Sequence, residues 1–163
     1  MKNKIFLIVS LLLIEICTAQ TEKLYLIIDN PFFVENSNLI TVGFGVKSKD
    51  KRFNLDYFNF RVLNFKGWNE EGEDIYLDKK QLRKKIDLNS IKYETVQSLT
   101  KNKEWWEVHN ELSLKKEIYL LEKLQSKFNV ESGNFDYEYY ILPLQYEWTM
   151  KNIVPTDLSI VKE

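Results

Sequence analysis

Cysteine, histidine, proline, glycine and alanine are all scarce in this 163-residue chain, and each shortage narrows what the molecule can be. There is one Cys, one His, three Pro and five Gly. A lone Cys excludes a disulfide scaffold, and a lone His beside it excludes a zinc site of the usual Cys and His composition. With so few Pro and Gly there is no linker, low-complexity run or internal repeat, which predicts a single globular domain. None of the glycines falls in a phosphate-loop, dinucleotide-binding or nucleophile-elbow pattern, and no cofactor is expected. Ala19 is the only alanine. Because Ala is the strongest helix former, that shortage argues against a helical bundle. An excess of charge is missing too: 23 Lys and Arg face 24 Asp and Glu, for a formal charge of −1. Such a balance carries no electrostatic footprint for nucleic acid and excludes the highly charged disordered class.

Residues 1–19 read as a secretory leader. Lys2 and Lys4 form a short basic start, the apolar stretch Ile5 to Ile14 is too short to cross a bilayer as a helix, and Cys17-Thr18-Ala19 offers small residues for cleavage before Gln20. A retained anchor would bury Glu15 in hydrocarbon at a cost of about 2.5–3.5 kcal/mol. Lipid attachment at Cys17 is the other alternative, disfavoured by the bulk of Ile16 before it. Cleavage after Ala19 predicts a secreted or periplasmic domain spanning 20–163, with no transmembrane segment and no cysteine. A domain of that size buries about 68–70% of its chain surface without disulfides. The absence of any Asn-x-Ser/Thr sequon suits a bacterial envelope better than a eukaryotic secretory route.

What is abundant is Lys, Asn, Ile and aromatics, with ten Phe, nine Tyr and four Trp. AT-rich coding over-supplies most of these, so surface Lys and Asn alone are no binding signature. The apolar residues recur mostly with period 2. Along Leu39–Val46, Ile40, Val42, Phe44 and Val46 share a face; along Asp56–Leu63, Phe58, Phe60 and Val62 do so, with Tyr57, Asn59 and Arg61 opposite. Leu24–Ile28 is a nearly continuous apolar run closed by Asn30-Pro31, which predicts a covered central strand. Phe135, Tyr137, Tyr139 and Ile141 share a parity that shifts to Leu144, Tyr146 and Trp148, so a bulge or break is expected at Pro143. Two short helices are expected. Asp78-x-x-Gln81 resembles a capping box leading to Leu82 and Ile86 on one face, and Asn102–Leu112 sets Trp105, Val108, His109 and Leu112 at helical spacing. Residues 114–128 fit either element, and the β-rich context favours a strand. The expected fold is mainly β or α+β: an antiparallel sheet or sandwich of six to seven strands with two short helices.

Few residues carry chemistry. His109 lacks a carboxylate at i±3 or i±4, and Trp105 lies at i−4, so a ring stacked on a helix face is the better reading than a general base. Gly43-Phe-Gly45 lies within a strand, where Gly marks a bulge or close packing. Asn69–Asp74 lacks the spacing of a calcium loop and reads as a solvated hairpin turn. Trp106 points about 100° away from Trp105 and cannot share its core contact. Trp106, His109, Tyr57 and Tyr140 are therefore the candidate binding residues; no catalytic and no metal-ligating residue is assigned. The expected function is a non-catalytic module that binds another protein, as an inhibitor or envelope accessory. A carbohydrate-binding β-sandwich is the alternative on the same aromatics, and a small hydrolase built on a carboxylate pair or on His109 beside a nucleophile ranks below both.

Overall fold

The computed structural model describes residues 23–36 and 38–147. The expected leader, its cleavage site and Cys17 lie outside the described residues, as does Trp148 at the end of the aromatic run. In chain order the strands are β1 (Lys23–Ile27), β2 (Phe32–Asn36), β3 (Leu39–Lys47), β4 (Leu55–Val62), β5 (Phe65–Trp68), β6 (Asp74–Tyr76), β7 (Lys84–Ile86), β8 (Glu94–Thr95), β9 (Glu117–Asn129) and β10 (Asn134–Glu147). Three short helices, α1 (Lys79–Leu82), α2 (Val96–Thr100) and α3 (Trp105–Ser113), complete the set with a 3₁₀ turn at Leu88–Ser90. Among the described residues no helix is long and apolar enough to cross a membrane.

The fold is mainly β, with more strands and one more helix than expected. Eight strands form one sheet in the order β2-β3-β4-β10-β9-β1-β8, with β7 also paired to β10; β5 and β6 form a separate hairpin. The sheet is mixed rather than antiparallel, because β1 runs parallel to both of its neighbours, β9 and β8. Period-2 patterning says which face a side chain takes but nothing about the direction of the neighbouring strand, so this pairing was invisible in it. β1 is consequently not central: only the two-residue β8 lies outside it.

Alternation on β3 and β4 sets the expected residues on the core face, but Asn59, expected to point outward, is buried on the opposite one. Val42, Phe44, Phe58, Phe60 and Val62 join Leu24, Leu26, Ile118, Leu120, Leu142 and Leu144 in one buried cluster. Leu99 of α2 and Val108 and Leu112 of α3 belong to it, so over this face the second layer is helical among the described residues rather than a second sheet. Each such side chain contributes about 1.5–3 kcal/mol by leaving water. Gly43 lies opposite Phe32 and on the other face of the sheet. A Cβ there would meet Asn59 Oδ1 at 2.5 Å and the Phe32 ring closer still, so close packing explains the glycine.

Most of the segment over 114–128 is strand, as the context favoured, although β9 begins only at Glu117 and Leu114 caps the preceding helix. The Asp78 capping box forms, with Asp78 Oδ1 accepting from Gln81 N at 2.8 Å and Gln81 Oε1 from Asp78 N at 3.0 Å. The helix it starts is a single turn, however. Ile86 is not on a helix face with Leu82 but in β7, where three residues pair with β10.

Pro143 neither breaks β10 nor bulges it. It pairs in continuous register with Tyr119, and the irregularity sits at Asp136/Tyr137 instead. The reason lies on the other side of the strand. β7 pairs with residues 139–141 of β10 and β4 with residues 144–147, and Pro143 falls between them. Its carbonyl accepts from Leu63 N at 3.0 Å, so its nitrogen, on the same side of the strand, points into the gap where no ladder donor is needed. Nor does the apolar set shift there. Leu142 and Leu144 face the core in one phase, while Tyr139 and Ile141 occupy the opposite face.

Candidate functional site

The four residues expected to bind are dispersed. Trp106 is exposed on α3 at 58%. His109 is buried on the core side of the same helix, stacked on Trp105 with ring centroids 5.3 Å apart and planes 4° from parallel. Its Nδ1 lies 2.8 Å from the Tyr146 hydroxyl of β10, tying α3 to the sheet. Burial lowers the His109 pKa from its ordinary value and raises that of Tyr146. Tyr57 lies on the opposite face of the sheet, edge-on to Phe32 at 6.4 Å. Tyr140 donates from its hydroxyl to Glu138 Oε2 at 2.6 Å, which raises the phenol pKa. Tyr57, His109 and Tyr140 thus contact different partners: Phe32, Trp105 with Tyr146, and Glu138.

A different set of rings does converge. The stretch Leu63–Tyr76 folds back on itself through Asn69, whose Oδ1 accepts from Glu71 N at 3.0 Å and Glu73 N at 2.8 Å. The same side chain donates from Nδ2 to Glu71 Oε2 at 2.9 Å and Glu73 Oε2 at 3.0 Å. Gly72 takes the positive φ of 83° that the turn demands. This is the solvated hairpin turn expected for Asn69–Asp74. Between Phe65 and Gly67 the register slips by one residue, and Gly67 adopts φ 142°. Phe65 then opposes Tyr76 while Trp68 opposes Asp74, so both rings lie on the side of Tyr76.

The result is three rings in one cluster, Phe65–Trp68 at 5.2 Å and 74°, and Phe65–Tyr76 at 5.7 Å and 62°. Trp68 is 68% exposed and Phe65 49%. Tyr76 donates from its hydroxyl to Asp74 Oδ2 at 3.0 Å, and that carboxylate raises the phenol pKa. Asn64 anchors the hairpin from beneath. It is buried, donates from Nδ2 to Asn38 O at 2.9 Å, and accepts at its carbonyl from Leu77 N at 2.8 Å.

Beside the rings opens a cleft of about 550 Å³, lined by Leu39, Leu63, Phe65 and Tyr76 with Asn38, Arg61 and Gln145. Leu39 and Leu63 are themselves exposed, so the apolar surface continues from the rings into the cleft. Arg61 is held by Glu147, at 2.8 Å from Nε and 2.7 Å from an Nη nitrogen to the same Oε1. Such a surface can stack and bury rings. At about 25 cal/mol per Å², covering on the order of 100 Å² of Trp68 contributes about 2.5 kcal/mol. Among the described residues no group of three or more His, Cys, Asp or Glu is placed to hold a metal ion.

Sequence reasoning missed Phe65, Trp68 and Tyr76 because strand periodicity assigns positions three apart to opposite faces. The available signal was Gly67 inside the run Phe-Lys-Gly-Trp, since a glycine within a strand marks a bulge. Comparison with protein-family models, with curated proteins and with solved structures finds no match for this chain.

Proposed function

We propose that this chain is an exported, non-catalytic module that binds another protein through the β5–β6 hairpin. One observation carries the reading: three aromatic rings are gathered by a bulge onto one exposed face, continuous with Leu39 and Leu63. Exposed Trp and Tyr that a partner can desolvate are the side chains that dominate protein interfaces. A glycan ligand is the second reading, supported by Asn38, Arg61 and Gln145 around the same cleft. The ring angles weigh against it, since 74° and 62° make a knob rather than the flat platform on which sugar rings stack. A role as inhibitor or envelope accessory follows from the leader together with this knob.

The deciding experiment uses tagged residues 20–163 and the Trp68→Ala variant side by side on envelope extract of the source cells, with a glycan array in parallel. The expected outcome is one protein retained by the parent and lost by the variant, with a silent array. Identical retention by both proteins overturns the hairpin as the docking face, and Trp68-dependent array signal transfers the site to the glycan reading. Mass spectrometry of the exported product is expected to begin at Gln20.

A further inference from the structure

Charge around the rings is one-sided. Between Phe65 and Tyr76 the chain places Glu70, Glu71, Glu73 and Asp74, all exposed, against Lys66 alone. Three neighbouring cations are committed to other carboxylates, Arg61 to Glu147, Lys79 to Glu35 and Arg83 to Glu122, while Lys80 lines a second cleft that also includes Tyr76. The carboxylates are also held in place before any partner arrives, Glu71 and Glu73 by Asn69 Nδ2 and Asp74 by the Tyr76 hydroxyl. Glu71 and Glu73 share one amide donor, which sets their carboxylates well inside a Debye length of about 8–10 Å, so the two act as one field.

We propose that the partner is a protein presenting an apolar socket for Trp68 and Phe65 with a rim of lysine and arginine that meets this acidic collar. The inference rests on the hairpin being the docking face. Complementary charge of this kind speeds encounter and rejects wrong partners, while the buried rings supply the affinity. The collar equally repels anionic lipid and nucleic acid, so those surfaces are poor occupants of the same face.

The test uses a display library of fragments of the source genome, selected on the full exported domain and counter-selected on Trp68→Ala. Enriched fragments are then titrated against the variant E70Q/E71Q/E73Q/D74N. Its amides keep the oxygen acceptors of the turn while removing four charges, and an unchanged melting temperature confirms its fold. The expected result is Trp68-dependent fragments whose binding surface carries Lys or Arg around aliphatic residues. Their affinity falls about tenfold or more in the charge variant, mostly through slower association, and falls similarly between about 20 and 300 mM salt. Trp68-dependent fragments that are neutral or acidic and bind the charge variant equally well overturn the basic rim while leaving the docking face intact. Selection without any Trp68-dependent fragment overturns the docking face itself.

Discussion

Both the short hairpin β5–β6 and the outer part of the β9–β10 ribbon carry exposed aromatics on a two-stranded frame interrupted by a register irregularity. In the ribbon each ring finds its partner across or along the strands. Phe128 opposes Phe135 with centroids 5.1 Å apart, and the Lys123 ammonium sits 4.0 Å above the Tyr137 ring. In the short hairpin the irregularity gathers Phe65, Trp68 and Tyr76 beside a cleft and leaves Trp68 the more exposed. The ribbon spends its aromatics on holding two long strands together; in the hairpin Phe65 and Tyr76 make a similar cross-strand pair, and Trp68, opposite Asp74, is the ring held out to solvent. Exposure alone is therefore a poor guide to a binding face, and what separates the two is whether the backbone needs the ring.

Five measurements sharpen that contrast, beginning with the largest effect. Phe60→Ala, in the cluster that supports both regions, should cost about 3–5 kcal/mol, read as a fall in denaturation midpoint with both hairpins lost together. Asn64→Ala should cost about 0.5–1.5 kcal/mol by removing the hydrogen bond to Asn38 O. Amide exchange at Leu77 should then quicken while exchange along β9–β10 is unchanged. Unequal effects in the reverse sense would remove Asn64 as the anchor.

The third measurement is a pH titration of stability, which acts on the shared core and spares both turns. His109 has a folded pKa below 6.5 because burial disfavours the imidazolium. The unfolded chain therefore binds the proton more readily, so this contribution is intact above pH 6.5 and is lost as pH falls from there towards the folded pKa. The slope is at most about 1.4 kcal/mol per pH unit. The carboxylates Glu117 and Glu138, lowered chiefly by hydrogen bonds to Tyr119 and Lys85, lose their contribution only below pH 4.5. His109→Gln should flatten the curve just below pH 6.5; a slope that survives would assign the loss to another group. The smallest effects test the contrast directly. Phe128→Ala should cost about 0.5–1.5 kcal/mol through its cross-strand ring pair and leave partner binding alone. Trp68→Ala should stay within about 0.5 kcal/mol of the parent and abolish binding.

Much of the core was legible because β3 and β4 bury one face and leave the other a different chemistry, which writes alternation directly into the chain. The Trp105–His109 stack and the Asp78 box were legible for the same local reason: their partners lie within four residues. Pairing direction, the neighbours of Pro143 and the face taken by Tyr139 and Ile141 were not, since each depends on strands distant in sequence. Of the candidate site only the acidic turn was readable. The rings that flank it were hidden by a one-residue slip that converts a spacing of three into a shared face. Trp106 was read correctly as exposed, yet it stands apart from the converging rings.

The parallel placement of β1 bears on how the chain comes to be folded. This strand is made well before its main neighbour, β9, which begins only at Glu117. At about 5–20 residues per second, the apolar edge of Leu24 and Leu26 waits several seconds or longer without a mate. Contacts so distant along the chain form slowly. A sheet whose parallel strand waits for so distant a mate cannot close before β9 has been made, so a chain that stops short of Glu117 leaves β1 unsupported.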